Sequence, residues 1–332
     1  MPERFVLAVD QPRERIDKVL AKLLAPRSRA TVQRWIAEGR VRLDGRVCRA
    51  RDQATAGALV EVEVGSEPLS NAEPDPSVPF EVVFEDAHLI VVNKPAGIVV
   101  HPARGHRSGT LVSGLLARPG FRVAPADDRD PSGHLRPGIV HRIDKDTSGL
   151  LVVAKDAATR EGLKHQLAAH SVQRLYQALT RGVPRSGRIE TSYARHPQSR
   201  LRFTSKLPPG AVGKRAVTHV SVLESFGGSA AAWIECRLET GRTHQIRVHL
   251  AERMGTPLLA DALYGAPAPA PGTNPELESV EQRLGRHALH ARVLGFRHPI
   301  TGQSLLFESA LPADLEAALV GLRELRPTTA RR

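Results

Sequence analysis

The chain has 332 residues, 47 of them Lys or Arg against 35 Asp or Glu, a net charge of +12, with 41% hydrophobic residues. That is enough chain and enough apolar surface for one large or two unequal domains without a disulfide or metal staple, and too much for wholesale disorder. Cys48 and Cys236 stand far apart with no ligand-spaced histidine, no apolar run reaches the roughly 18 residues of a membrane span, and the start Met1-Pro2-Glu3-Arg4 does not read as a signal peptide. Structural zinc, iron–sulfur and disulfide-scaffold classes drop out, and a cytoplasmic protein with no membrane attachment is expected.

Ile16, Val19, Leu20, Leu23 and Leu24 recur on one helix face, and after a break at Pro26-Arg27-Ser28 the pattern resumes with Val32, Trp35 and Ile36, so two short helices are predicted. Gly39 ends the second, Asp44-Gly45 marks a tight hairpin within 41–47, and residues 59–64 alternate with the period of a strand. From Arg13 to Arg51 twelve bases face four acids. Arginine dominates, and its planar fork suits phosphate oxygens, although a charge run can also be a solvated face.

Residues 66–79 carry four prolines, three acids and no base, and read as a linker. Strands are then predicted at 80–84, 88–92 and 150–154, with a turn at Asn93-Lys94-Pro95-Ala96-Gly97 and a Pro/Asp/Arg/Gly-rich loop over 118–138. The stretch 138–149, Gly-Ile-Val-His-Arg-Ile-Asp-Lys-Asp-Thr-Ser-Gly, packs polar groups of several chemistries between apolar runs. Taken alone, Asp144 suits a turn and Asp146 a turn or helix cap. His141-Arg142-Ile143-Asp144 also has the look of a kinase catalytic loop, but the glycine loop and the metal-binding Asp and Asn of kinases are missing.

Residues 138–155 resemble the signature of RluA-type pseudouridine synthases, with Ile143 in place of the usual leucine. The blocks at 93–102, 174–178, 241–249, Leu289-His290-Ala291 and Phe296-Arg297-His298-Pro299 are similar to the family's others, in the family's order. The motifs of residues 15–45 resemble an S4 RNA-binding domain, so the resemblance spans about residues 13–312. It implies an α+β protein: a small S4-like domain (1–65), a linker (66–79), a mixed α/β catalytic domain with a largely antiparallel sheet (80–325) and a polar tail (326–332). It further implies isomerisation of uridine to pseudouridine without cofactor or metal, by a monomer acting on structured RNA. Within the family the chain looks most like the subgroup modifying the helix 69 stem-loop of 23S rRNA, free or in a pre-ribosomal particle.

By the same resemblance Asp144 is the catalytic carboxylate, Arg247 the cation paired with it, and Tyr176 the residue stacking on the uracil. Each also has a plainer reading, Arg247 as a surface arginine and Tyr176 as a core residue of a strand over 175–180. Arg15, Lys18, Arg29, Arg34 and Arg40 are the expected RNA contacts of the small domain, and Arg142 and Arg242 flank the catalytic motifs. Residues 191–223 hold six bases and no acid, with prolines and glycines interspersed, and are expected to form an RNA-facing loop presenting Arg195, Arg200, Arg202 and Lys214. The Pro/Ala-rich stretch 264–278 reads as a spacer without chemistry. His244 and His249 lack a third ligand and are expected to bond locally or to reach phosphate rather than hold a metal. A non-catalytic assembly factor and a base-releasing hydrolase are the rival classes; the first has no need of Asp144, Tyr176 and Arg247 together, and the second lacks an evident second carboxylate.

Overall fold

A computed structural model describes residues 3–8, 13–24, 29–64, 73–102, 108–121, 138–265 and 274–325. Residues 66–72 of the expected linker, the expected tail, residues 122–137 of the 118–138 loop and residues 266–273 of the Pro/Ala stretch lie outside the described residues.

The first of two compact units ends at Glu73. It contains β1 (Glu3–Ala8), β2 (Glu14–Arg15), α1 (Ile16–Leu23), α2 (Arg29–Ala37), β3 (Val41–Leu43), β4 (Arg46–Val47), β5 (Gln53–Ala54) and β6 (Leu59–Val64). Ile16, Val19 and Leu20 of α1 pack with Val32, Trp35 and Ile36 of α2 and with Val41, Val60 and Val62 of the sheet in one core. Leu23, expected on that face, is exposed instead. Asp44 and Gly45 both have positive φ, the backbone a two-residue hairpin requires between β3 and β4. The sheet runs β1-β6-β3-β4, with β1 antiparallel to β6. That β1 escaped the sequence reading has a reason: it is added at the edge from far along the chain, with no turn signal tying it to its partner.

The second unit begins at Pro74. It holds β7 (Glu81–Glu85), β8 (Leu89–Lys94), α3 (Leu111–Leu116), β9 (Ser148–Ala154), α4 (Ala157–Ala168), β10 (Gln173–Arg181), β11 (Gly187–Arg195), β12 (Phe203–Thr204), β13 (Lys214–Phe226), β14 (Ala231–Leu238), α5 (Gln245–His249), α6 (Pro275–Leu284), β15 (Leu289–Arg297), β16 (Ser304–Glu308) and α7 (Ala313–Arg323). Ten strands form one sheet, ordered β12-β11-β13-β14-β10-β15-β9-β8-β7, with β16 also on β15. All pairings are antiparallel except β9 with β15, which meet at Ser148–His290 and Gly149–Ala291. Every residue of β9 is buried, as its unbroken Leu-Leu-Val-Val-Ala run requires of a central strand covered on both faces. Leu150, Val152 and Ala154 pack with Leu163 of α4, while α6 and α7 cover a second core around Leu179, Leu259 and Leu319. A mixed α/β unit on a mainly antiparallel sheet is thus what forms.

Two sequence expectations are corrected here. Residues 191–223 are not a loop: β11 runs to Arg195 and β13 begins at Lys214, antiparallel partners from Gly187–Val220 to Tyr193–Lys214. The prolines at 197, 208 and 209 fall in the connection between them, where no ladder bond is lost. Gly213 is there for close approach, since a Cβ would sit 2.6 Å from the Tyr193 backbone nitrogen. Nor is 264–278 simply a spacer, because α6 starts inside it, at Pro275, with Asn274 Oδ1 accepting from Glu276 N (2.9 Å).

Candidate active site

The loop that carries Asp144 is fixed at both ends by backbone. Gly138 has φ +71° and Gly149 φ +115°, and a Cβ at either would meet a carbonyl oxygen, Ala154 O at 2.1 Å or Ala291 O at 2.3 Å. Only glycine fits such positions. Between them every turn is anchored. The wholly buried Lys94 donates from Nζ to Pro95 O (2.7 Å) and Lys145 O (2.9 Å), and burial pushes its ammonium down to about 7. His141 Nε2 accepts from Val152 N (3.1 Å), a role open only to the neutral ring; burial first, then Arg174, push its pKa down to about 3. Thr147 Oγ1 bonds His287 Nε2 (2.8 Å), and Arg286 Nη1 donates to Asp146 O (2.9 Å).

The Asp144 carboxylate emerges from this loop with its side chain 14% exposed. Arg247 Nη1, on the short helix α5, donates to its Oδ2 at 3.1 Å. The same guanidinium turns its other edge to a second carboxylate: Nε and Nη2 donate to Asp261 Oδ2 and Oδ1, both at 2.8 Å. Asp261 is itself held by Leu263 N (3.0 Å) and Tyr264 N (3.1 Å). The arginine fork is therefore locked in plane, with one nitrogen left for Asp144. Burial alone would raise the Asp144 carboxyl, but the charges of His244, Arg247 and His287 and the Arg247 hydrogen bond hold it below the ordinary carboxylate value. The group is ionised at neutral pH in a mostly dry site, as a nucleophile or base must be.

Around this pair lies an aromatic wall. His244, at the N-terminus of α5 with φ +59°, puts Nε2 3.9 Å from Asp144 Oδ2 and Nδ1 2.9 Å from the Tyr264 hydroxyl. The Tyr264 hydroxyl accepts from Phe203 N (2.8 Å), and Arg247 lies 5.2 Å from the Tyr264 ring centroid. Tyr193 donates to Thr243 O (2.6 Å), pinning the turn before His244. Tyr176, on β10, is buried; burial raises its hydroxyl pKa, Arg174 lowers it and Asp144 raises it further, so the phenol is neutral within reach of the carboxylate's field.

Asp144 and Arg247 are thus in contact and Tyr176 lies in the same electrostatic neighbourhood. Of the expected RNA contacts, Arg195, Arg202 and Lys214 lie on the β11–β13 hairpin, as does the exposed Arg200 of its connection. Arg242 Nε donates to Arg215 O (3.0 Å), and Arg142 is exposed two residues before Asp144. In the small unit Lys18 is exposed, Arg40 Nε pairs with Glu38 (2.7 Å), and Arg15 engages the buried Asp17 at 3.1 Å. The side chains of Arg29 and Arg34 lie outside the described residues. His249 bonds Thr191 (3.0 Å) and Thr218 (2.9 Å). Among the described residues no three His, Cys, Asp or Glu side chains gather as a metal site would require, and no helix is long and apolar enough to cross a membrane.

Sequence reasoning missed Asp261, Tyr264, Tyr193 and the nearness of His244 to Asp144. Tyr264 opens the stretch taken for a spacer, and its hydroxyl belongs to the site. A buried guanidinium has five N–H donors, more than one carboxylate takes up, so the acid and aromatic of Asp261-Ala262-Leu263-Tyr264-Gly265 were the available signal.

Comparison with known proteins bears on what this arrangement does. A family profile described as RNA pseudouridylate synthase matches residues 88–252, and an S4 domain profile matches residues 14–60. A protein of Neisseria meningitidis named ribosomal large subunit pseudouridine synthase D is 44% identical over 93% of this chain and 79% of its own length. A protein of the same name from Xanthomonas campestris is 40% identical over 93% of this chain and 89% of its own. Among solved structures, human RNA pseudouridylate synthase domain containing 4 superposes with a TM-score of 0.56 at 25% identity, covering 74% of this chain and 94% of that one.

Proposed function

The chain belongs to the RNA pseudouridylate synthase family and is an RNA pseudouridine synthase; from that premise we propose that it acts on large-subunit ribosomal RNA, at the clustered uridines of helix 69 in 23S rRNA, with Asp144 as its catalytic carboxylate. The reaction breaks the N1–C1′ bond, turns the uracil while it stays bound and joins C5 to C1′; atoms and electrons balance within the substrate, so the chemistry calls for no redox partner or cofactor. Asp144 attacks C1′, attacks C6 or takes a proton from C2′, and each route needs the ionised carboxylate.

The observation that carries the reading is the Asp144–Arg247–Asp261 chain, which keeps a carboxylate charged where burial would neutralise it. Uridine leaves its stack to reach that carboxylate, and Tyr176 offers its ring to the extruded uracil. The basic edge of the β11–β13 hairpin, Arg142 and Arg242, together with Arg15, Lys18, Arg29, Arg34 and Arg40 of the S4 domain (1–65, joined through 66–79 to the catalytic domain), hold the backbone. A ribosomal RNA substrate implies work in the cytoplasm, and one complete catalytic set per chain lets a monomer perform it.

Purified protein incubated with unmodified 23S rRNA, followed by nucleotide-resolution mapping of pseudouridine, tests the proposal. New pseudouridine in helix 69 is expected. Pseudouridine only at other positions of the 23S rRNA would overturn the helix 69 assignment, binding without isomerisation would favour an assembly factor, and free uracil would mark a hydrolase.

A further inference from the structure

Beside the aromatic wall is a pocket of about 600 Å³ whose lining includes Tyr193 and Phe203 but not Asp144. Its floor is Tyr193 and Phe203, whose rings stack at 5.9 Å and 11°. Arg195 lies 4.7 Å from the Phe203 ring centroid and is exposed. Lys214 and Arg242 line the pocket, Val212 stands at its mouth 95% exposed, and no carboxylate lines it. A short chain of contacts links the pocket to Asp144: the Phe203 ring is 5.7 Å from the His244 ring, and His244 Nε2 is 3.9 Å from Asp144 Oδ2.

We propose that this pocket is a second nucleotide subsite, holding the base of the unpaired nucleotide next to the target uridine. The inference rests on the RNA substrate proposed above and adds a second contact to it. A guanidinium plane backed by an aromatic ring is a surface on which a base stacks whatever its identity. An apolar floor ringed by three cations without an acid is complementary to a planar base carrying phosphate, and the volume is that of a small-ligand site. Extruding one base removes a stacking partner from its neighbour, so a pocket for the neighbour lowers the cost of extrusion where the enzyme needs it lowered. Val212, nearly all of it in solvent beside this floor, gains apolar contact when the base arrives.

The test uses the full-length protein carrying the photocrosslinker p-benzoylphenylalanine in place of Val212, with RNA from cells lacking this chain. Pseudouridines and crosslinks are mapped by sequencing in the same sample. Crosslinks are expected at the nucleotide immediately 5′ or 3′ of a new pseudouridine. Crosslinks several nucleotides from every pseudouridine, or none while modification proceeds, would overturn the subsite. Should the modified sites lie outside large-subunit RNA, the substrate proposal fails while crosslinks flanking those sites still uphold the pocket. Arg195→Ala provides a second measurement without the crosslinker: KM is expected to rise about tenfold with the loss falling on KM rather than kcat, and an unchanged KM would count against the pocket.

Discussion

Arg247 serves two carboxylates, and the division is unequal: two nitrogens face Asp261 at 2.8 Å each and one faces Asp144 at 3.1 Å. Asp261 accordingly fixes the guanidinium that Asp144 meets. Asp261→Asn is expected to lower kcat by up to roughly 10²-fold with KM changed little, the cost of a misplaced catalytic partner; an unchanged kcat would show that Arg247 needs no second anion. The pH dependence has a definite sign. The carboxyls of Asp144 and Asp261 are both held below their ordinary value. The stability they contribute is complete above the unfolded carboxylate pKa and is lost as pH falls through their lower folded values. With its carboxyl held low, the limb of kcat/KM that belongs to Asp144 is expected only below about 4, the ordinary aspartate value, whereas a change near pH 7 reports the buried Lys94 that anchors the same loop; a limb near pH 6 that Asp144 alone accounts for would contradict this. Asp144 and Arg247 were legible in the sequence because each sits in a dense motif. Asp261 was not, because it lies fourteen positions from Arg247, beyond the end of α5 and a π-helical turn at Leu250–Met254, and no motif ties the two together.

At the level of elements, the loop that carries Asp144 is a span between two glycines laid against β9 and β15. Gly149→Ala places a methyl 2.3 Å from the Ala291 carbonyl at a φ of +115°. The parallel junction of β9 and β15 has to open to admit it, and a loss of stability of about 3 kcal/mol or more is expected in denaturant unfolding, with activity lost in proportion. A variant as stable as the wild type would show that the junction is loose. The helices of the S4 domain and the strands at 81–85, 89–94, 148–154 and 173–181 were readable from periodicity and turn residues. The β11–β13 hairpin was not: its strands are as basic as its connection, and charge carries no information about ladder pairing. Ala216, Val217, Thr218 and Val220, all buried, held the strand signal that the surrounding arginines obscured.

For the molecule as a whole, a net charge of +12 says little until it is located. The basic stretch of residues 13–51 belongs to a unit with its own hydrophobic core, and the bases of the hairpin belong to another. Deleting residues 1–65 is expected to weaken binding to structured rRNA and to flatten its dependence on salt, because fewer counterions are released per complex. An unchanged salt slope would show the S4 domain's charge to be a solvated face. Scarce aromatics, 4% of the chain, first looked like a feature of composition only. Two of the three tyrosines, with Phe203 and His244, turn out to form the wall beside Asp144.

The central claim is that the Asp144 carboxylate performs the isomerisation. Joining C5 to C1′ expels the C5 hydrogen, so tritium release from rRNA labelled at uridine C5 counts turnovers directly. Wild type and Asp144→Asn, compared in single-turnover release with RNA affinity measured on the same preparations, decide it. Release should fall to background in the variant with affinity within a few-fold of wild type; substantial release from Asp144→Asn at undiminished affinity would contradict the account.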